Sequence, residues 1–142
     1  MNFNYPFWVA RDDNDTLMVT FQDVPGATFG RDGADARERA RVALQGALQR
    51  LIDDKLDIPI ASAANGRETV RPTLLGALKL TLYQAMRQRG WRKADLARAI
   101  GANPRQVDRL FDLEHGSTVY QLEYAIAACG TGVAVLPVPL AA

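Results

Sequence analysis

Two arginines, Arg105 and Arg109, lie one helical turn apart in a basic stretch of the sequence. Each guanidinium could donate two hydrogen bonds to the O6 and N7 atoms of a guanine, which gives roughly 1–3 kcal/mol of discrimination against another base. Arg92, Lys93 and Arg98 precede them and are better placed for phosphates, which position a protein on DNA without selecting a sequence. The pattern predicts a surface that binds double-stranded DNA. A merely solvated helix face is the alternative interpretation of the same cations.

The segment KADLARAIGANPRQVDRLFD, residues 93–112, predicts two short helices that would carry these cations. Ala97 permits a close crossing of the two helices, and Gly101 supplies the turn between them. Asn103 is suited to cap the second helix, with Pro104 at its first position, where a missing N–H costs nothing. Apolar residues recur at the positions that a shared core requires, namely Leu96, Ile100, Ala102, Val107 and Leu110. This is the pattern of a helix-turn-helix.

The predicted DNA-binding residues lie at the start of the first helix and on the outward side of the second. They are Arg92, Lys93, Asn103, Pro104, Arg105, Gln106, Asp108 and Arg109. Asp108 would repel a phosphate. We therefore expect it to orient a guanidinium or to accept a hydrogen bond from a cytosine amino group.

The net charge of +1 hides a division of the 142-residue chain into an acidic and a basic half. Residues 1–66 carry seven Lys/Arg and ten Asp/Glu, a net −3, whereas residues 67–142 carry ten and six, a net +4. The window from residue 79 to residue 109 reaches +6. This asymmetry predicts two partners of opposite charge, with DNA for the basic half.

Catalytic and metal-binding chemistry is not favoured by the remaining polar residues. His115 is the single histidine and Cys129 the single cysteine, so the ligand set of a zinc site is lacking. The aspartates of residues 12–15 are typical of a β-turn. We expect no enzymatic activity and no cofactor. A metal-dependent hydrolase, which needs carboxylates that converge on metal ions, remains an alternative. Its candidate carboxylates are Asp12, Asp23 and Asp32.

The first half predicts the element order β-β-β-α-β. The segments NFNYPFWVA, TLMVTFQ and ATFG are extended or alternate between apolar and polar residues, as strands do. Asp32 is expected to cap a helix that runs to about Lys55, with its apolar residues at helical spacing. A fourth strand is expected in ETVRPT, after the Asn65–Gly66 turn.

The second half predicts a cluster of short helices. One is expected from Leu78 to Arg89, and a last one from about Val119 to Cys129, on either side of the segment at 93–112. The tail VAVLPVPL could form a short edge strand. We expect a first domain at residues 1–66, a linker that includes the last strand at 67–76, and an all-α domain at 77–142.

No apolar run approaches the ~20 residues needed to cross a bilayer. The N-terminus lacks the charged and apolar regions of a signal peptide. These features predict a cytoplasmic protein.

The sequence FQDVPGATFG, followed by a helix and DIPIAS, resembles the N-terminal domain of HicB antitoxins. The second half is similar to the DNA-binding domain of a subset of that family, so nearly the whole chain is covered. Ala27 and Ala61 depart from its commonest residues, and Asp32 stands where Thr often caps the helix. The residues that match the family pattern are Phe21, Asp23, Pro25, Gly26, Thr28, Gly30, Ala36, Ala40, Leu44, Ile58, Pro59 and Ser62.

The resemblance implies a reduced ribonuclease-H-like N-terminal fold without hydrolytic activity. It implies that this domain binds HicA, a small basic toxin that cleaves mRNA, and covers its active site. The C-terminal domain would then bind the operator DNA of its own operon as a homodimer or a higher even-numbered oligomer. The alternative function is a stand-alone helix-turn-helix repressor whose N-terminal domain senses a small ligand.

Overall fold

The computed structural model describes residues 2–140 and has an α+β fold. Its four antiparallel strands are β1 (Tyr5–Arg11), β2 (Leu17–Phe21), β3 (Ala27–Gly30) and β4 (Thr69–Val70). They form one sheet in the order β3-β2-β1-β4. The short β4 lies in ETVRPT, so all four predicted strands of the first half are confirmed.

Helix α1 (Gly33–Asp53) separates β3 from β4 in the chain, which confirms the predicted β-β-β-α-β order. Four shorter helices follow β4. They are α2 (Leu74–Gln88), α3 (Lys93–Ile100), α4 (Pro104–Leu110) and α5 (Val119–Ala128).

The sheet has a covered face and an open one. In the ladder between β1 and β2, Phe7 pairs with Phe21 and Val9 with Val19. Phe7, Val19 and Phe21 are buried on the side of α1, whereas Trp8, which lies on the opposite side of β1, is exposed. Alternation along the strands therefore sorts the side chains between the core and the open face.

Helix α1 begins where β3 ends, and the approach is close. The Asp32 carboxylate accepts a hydrogen bond from the Asp35 backbone N–H at 2.9 Å, which confirms the predicted N-cap. A Cβ at Gly30 would lie 2.5 Å from the Cα of Ala36, so only glycine fits between strand and helix. The buried residues of α1 recur at helical spacing and are Ala36, Ala40, Leu44, Gln45, Leu48, Leu51 and Ile52.

Two of the residues that match the HicB pattern join distant segments. Both carboxylate oxygens of Asp23 accept hydrogen bonds from Ser62, one from its backbone N–H at 2.9 Å and one from its hydroxyl at 2.5 Å. The Tyr5 hydroxyl donates to the Pro59 carbonyl at 2.7 Å, and burial together with the nearby Asp23 carboxylate raises the pKa of Tyr5 to about 12. These contacts anchor the segment after α1 to the sheet.

One predicted element bound is wrong, and one segment that could have formed a strand does not. Helix α2 begins at Leu74 rather than Leu78, because the Thr73 hydroxyl accepts a hydrogen bond from the Gly76 N–H at 3.0 Å and caps the helix early. The tail forms no strand within its described part, residues 131–140. Pro137 and Pro139 lack the N–H groups that a strand would donate.

The two halves of the chain share a hydrophobic core. One cluster of buried side chains extends from Tyr5 and Val19 in the sheet to Leu122 and Ile126 in α5. The Tyr83 hydroxyl of α2 donates to the carbonyl of Leu56, just after α1, at 2.7 Å. The sheet half and the helical half are therefore packed against each other.

Candidate functional site

Helices α3 and α4 form a compact pair at the predicted position. Gly101 joins them with φ of 67°, a left-handed conformation that glycine adopts without strain. Leu96, Val107 and Leu110 are buried, and Ile100 and Ala102 pack against the core from partly buried positions. The five apolar positions predicted for this segment therefore lie where a shared core needs them.

The start of α4 is held by a reciprocal cap. The Asn103 side chain accepts from the Gln106 backbone N–H, and the Gln106 side chain accepts from the Asn103 N–H, both at 2.9 Å. Pro104 occupies the first helical turn, as predicted. The side-chain oxygens of Asn103 and Gln106 thus serve the helix end, and their amide groups are the part left to contact a ligand.

Three arginines of the predicted surface are available for a ligand. Arg92, Arg105 and Arg109 are exposed, and no ion pair joins them to another residue within the described range 2–140. Arg98 differs, since its guanidinium is paired with Asp95. Unpaired guanidinium groups can bind an anion without first breaking an internal ion pair.

Asp108 has a different neighbour from the one expected. Its carboxylate accepts a hydrogen bond from the Lys93 ammonium at 3.0 Å, so it is paired with a lysine of α3 rather than with an arginine. The expectation that it orients a guanidinium is therefore wrong. Its expected contact with a cytosine amino group stays a prediction.

The C-terminal end of α4 is fixed by a buried lysine. Lys79 of α2 is fully buried, and its ammonium donates to the carbonyls of Arg109, Asp112 and His115 at 2.8, 2.6 and 2.7 Å. It also lies 3.0 Å from the Ser117 hydroxyl. Burial lowers the pKa of Lys79, and the Asp112 carboxylate opposes that shift. Lys79 is counted among the basic residues of the sequence, but it lies inside the protein and adds nothing to the positive charge of the surface.

Two glutamines of α1 bind the same end of α4. Gln49 donates to the Phe111 carbonyl at 3.0 Å and accepts from the Leu113 N–H at 2.7 Å. Gln45 donates to the Glu114 carboxylate at 2.8 Å. Sequence reasoning missed these three residues because a Gln at 45 or 49 and a Lys at 79 give no local signal of partners 30 or more positions away.

The open face of the sheet is apolar. Ala10, Met18 and Phe29 are adjacent across β1, β2 and β3, and Trp8 lies beside them on the same face. Trp8 is 45% and Phe29 49% exposed. The Arg67 guanidinium lies 4.8 Å from the centre of the Trp8 ring, a cation–π contact. Exposed groups of large apolar side chains are typical of surfaces that contact another protein.

The three carboxylates of the hydrolase alternative have separate roles. Asp12 accepts a hydrogen bond from the Thr16 hydroxyl at 3.4 Å in the β1–β2 turn, Asp23 holds Ser62, and Asp32 caps α1. Among the described residues, no group of three or more His, Cys, Asp and Glu side chains is arranged to hold a metal ion.

In residues 2–140, no helix combines the length and apolar character that crossing a bilayer requires.

Comparison with known proteins identifies the family. A family model described as the HicB_like antitoxin of bacterial toxin-antitoxin system matches residues 4–81, which include the whole sheet and α1. Antitoxin HicB of Escherichia coli (strain K12) is 32% identical over 128 residues, 89% of this chain and 93% of the relative. Antitoxin HicB 2 of Photorhabdus laumondii subsp. laumondii is 31% identical over 133 residues, 91% and 92% of the two chains. Antitoxin HicB of Pseudomonas fluorescens (strain Pf0-1) is 34% identical over 98 residues, 68% and 67%. The chain belongs to the HicB-like antitoxin family.

Proposed function

We propose that this antitoxin neutralises a HicA-type mRNA-cleaving toxin in the cytoplasm and represses its own operon by binding operator DNA. The observation that carries the proposal is the extent of the match to Antitoxin HicB. That match covers 89% of this chain and therefore includes the α3–α4 pair, while the family model matches residues 4–81 and so includes the sheet. Residues 1–66 would bind the toxin, residues 77–142 would bind DNA, and residues 67–76 would link them. The protein itself would have no catalytic role.

For the toxin we propose the open face of the sheet, with Trp8, Met18 and Phe29 at its centre. Two arguments support this surface. It carries large apolar side chains outside the core, and the half of the chain to which it belongs has a net charge of −3, which suits a basic toxin. A toxin seated there would be inhibited by steric masking of its active site.

For DNA we propose that α3 and α4 act as a helix-turn-helix, with α4 in the major groove. The unpaired Arg105 and Arg109 would read base edges, while Arg92 and Lys93 would contact phosphates. One such unit offers few base contacts. Two units related by a dyad, about one helical turn apart, would read a longer operator. The reduced ribonuclease-H-like assignment of the sheet half is part of the same proposal.

A homodimer would supply this dyad, and two exposed apolar regions are candidates for its contact. On α5, Tyr120 and Tyr124 stack with ring centres 6.4 Å apart, and Tyr120 is 76% exposed. In the tail, Val135 and Leu136 are also largely exposed. Light scattering of the full chain with Tyr120→Ser or Leu136→Ser separates the two. The variant that lowers the mass to that of one chain identifies the contact, and a monomeric wild type contradicts the dimer.

The test of the antitoxin role is co-purification of this protein with the product of the neighbouring small gene, followed by an RNA-cleavage assay. We expect a stable complex and loss of RNA cleavage when this protein is added. If no complex forms while specific DNA binding persists, the ligand-sensing repressor is the better interpretation.

The test of the DNA-binding role is fluorescence anisotropy with the upstream region of its own operon and with a scrambled duplex. We expect specific binding that weakens steeply with salt, since log K falls by about 0.9 per neutralised phosphate for each unit of log salt. Equal affinity for both duplexes contradicts a role in operator recognition.

A further inference from the structure

A cleft of about 430 Å³ lies where the end of α1, the end of α2 and the start of α3 meet. Ile52, Tyr83 and Met86 line it from buried positions, and Trp91 lines it while partly exposed. Its volume falls within the range of small-molecule sites. It involves both halves of the chain, and neither the sheet face nor the readout arginines of α4 lie in it.

The charges that line this cleft favour an anion. Four cationic side chains, Lys55, Arg87, Arg92 and Lys93, accompany one carboxylate, Asp53. Arg87 is paired with Asp57 at 2.8 Å, and Lys93 with Asp108 at 3.0 Å. Neither Lys55 nor Arg92 has an ion pair with another residue in the described part of the chain. Two cations are therefore free to bind an anionic group.

The aromatic side chains at the cleft favour a flat ring beside that anion. Trp91 and Tyr83 both line the cleft, and both already contact planar cations. The Arg89 guanidinium lies 4.7 Å from the Trp91 ring centre, and Arg87 lies 5.5 Å from that of Tyr83. Aromatic side chains stack with nucleobases of any sequence, because every base has a π-face. Arginine and lysine bind phosphate oxygens.

We propose that this cleft binds a small ligand that joins a flat heteroaromatic ring to a phosphate, the chemistry of a nucleoside 5′-monophosphate. The ring lies against the apolar wall that includes Trp91 and Met86, and the phosphate binds Lys55 and Arg92. One consequence rests on the DNA-binding function proposed above. Because Arg92 is also assigned to a DNA phosphate, the ligand competes with the operator for it.

The experiment is a direct titration of the full chain with adenosine 5′-monophosphate. Separate titrations with adenosine and with inorganic phosphate test the ring and the anionic group alone. The protein has two tryptophans, Trp8 and Trp91. The Trp8→Phe variant therefore leaves Trp91 as the only tryptophan, and its selectively excited fluorescence reports on the cleft. We expect saturable quenching by the monophosphate and an affinity about tenfold higher than that of either single part. Calorimetry of the wild type gives an independent affinity.

Two charge variants, one inside the cleft and one outside it, test whether the monophosphate binds in the cleft. Lys55→Gln is expected to weaken the monophosphate several-fold. Arg50→Gln removes an exposed cation of α1 that does not line the cleft, and it should change nothing. Absence of saturable binding at millimolar concentration overturns the proposal. So does inorganic phosphate that binds as tightly as the monophosphate, or a Lys55→Gln variant that binds like the wild type.

Competition is measured separately with operator DNA in the presence of the monophosphate. Weaker operator binding supports the shared use of Arg92. Unchanged operator binding, with the direct titration positive, overturns the competition and leaves the ligand site in place. If the protein does not bind operator DNA specifically even without the monophosphate, the proposed DNA-binding function itself is wrong.

Discussion

The open face of the sheet and the outward face of α3–α4 are both exposed, but they carry opposite chemistry. Trp8, Met18 and Phe29 present apolar area with one arginine stacked on Trp8. Arg105 and Arg109 present charge, with the apolar residues of their helices turned into the core. Apolar area suits the surface of a folded protein, whereas unpaired guanidinium groups suit nucleic acid. One small chain therefore presents two surfaces that are unsuited to each other's partner.

The two surfaces also differ in what holds them in place. The sheet face is held by the backbone hydrogen bonds of β1, β2 and β3, which do not depend on particular side chains. The end of α4 is held by side chains from other helices, namely Lys79, Gln45 and Gln49. The outward face of α3–α4, which we propose binds DNA, should therefore be more sensitive to single substitutions at a distance than the sheet face.

The largest effect is expected from the substitution Lys79→Met, which tests whether side chains from other helices hold the end of α4 in place. The variant removes the three hydrogen bonds to backbone carbonyls and the contact with the Ser117 hydroxyl, and we expect a loss of about 2–4 kcal/mol in the free energy of unfolding. Urea denaturation measures the loss, and hydrogen exchange should show it first around residues 109–117. Lys93→Met is the matched control, because its exposed ion pair is worth at most about 1 kcal/mol. Equal effects of the two substitutions would contradict the role given to Lys79.

The next test separates the two surfaces by function. Arg105→Ala and Arg109→Ala should each weaken specific operator binding by about 1–3 kcal/mol, since each removes one base contact. Toxin binding should not change. Arg50→Ala, an exposed arginine of α1, is the control for a general loss of positive charge. If either variant lost toxin binding with its circular dichroism spectrum unchanged, the two surfaces would not be separate.

The converse test is Trp8→Ser or Phe29→Ser on the sheet. Each should weaken toxin binding by about 1–2 kcal/mol, as truncation of a large aromatic contact does, and leave operator affinity unchanged. Val42→Ser is the control, because Val42 is an exposed apolar residue on the far side of α1, 59% accessible. Titration calorimetry measures the toxin affinity. An effect of Val42→Ser as large as that of Trp8→Ser would move the toxin surface from the sheet to α1.

The smallest expected effect concerns the link between the halves. Gln49→Leu removes the bonds to the Phe111 carbonyl and the Leu113 N–H. We expect about 1 kcal/mol lower stability and a comparable loss of operator affinity, although Gln49 is not among the DNA-facing residues. Gln88→Leu, at the exposed end of α2, should leave both unchanged. Full operator affinity in a destabilised Gln49→Leu variant would show that α4 does not need this bond for its orientation.

The parts of the molecule with local signals could be predicted from the sequence. Asp32 and Asn103 were identified as caps because a capping side chain acts on residues only two or three positions away. The strands followed from alternation, and the α3–α4 pair from five apolar positions. These signals do not depend on the rest of the fold.

The parts that depend on distant contacts could not be predicted. Lys79 looked like surface charge, because its acceptors lie 30 to 38 positions further along the chain. For Asp108 the sequence predicts either a neighbouring guanidinium or a cytosine amino group, whereas its partner within the protein is Lys93, 15 positions away. The cleft at Trp91 forms only where three helix ends meet. Such contacts are set by the packing of the two halves, for which the sequence has no periodic pattern.

The bonds of Gln45 and Gln49 also bear on how such proteins can be recombined. Consider a chimera that joins the sheet and α1 of this chain to the later helices of a relative. In it, these glutamines would face a segment whose sequence comes from the other protein. The polar groups at Phe111, Leu113 and Glu114 would then lose their partners in α1. A segment that keeps these bonds intact therefore runs at least from α1 through Glu114. Under the proposed DNA-binding role, operator specificity is better exchanged by replacing only the outward residues of α4.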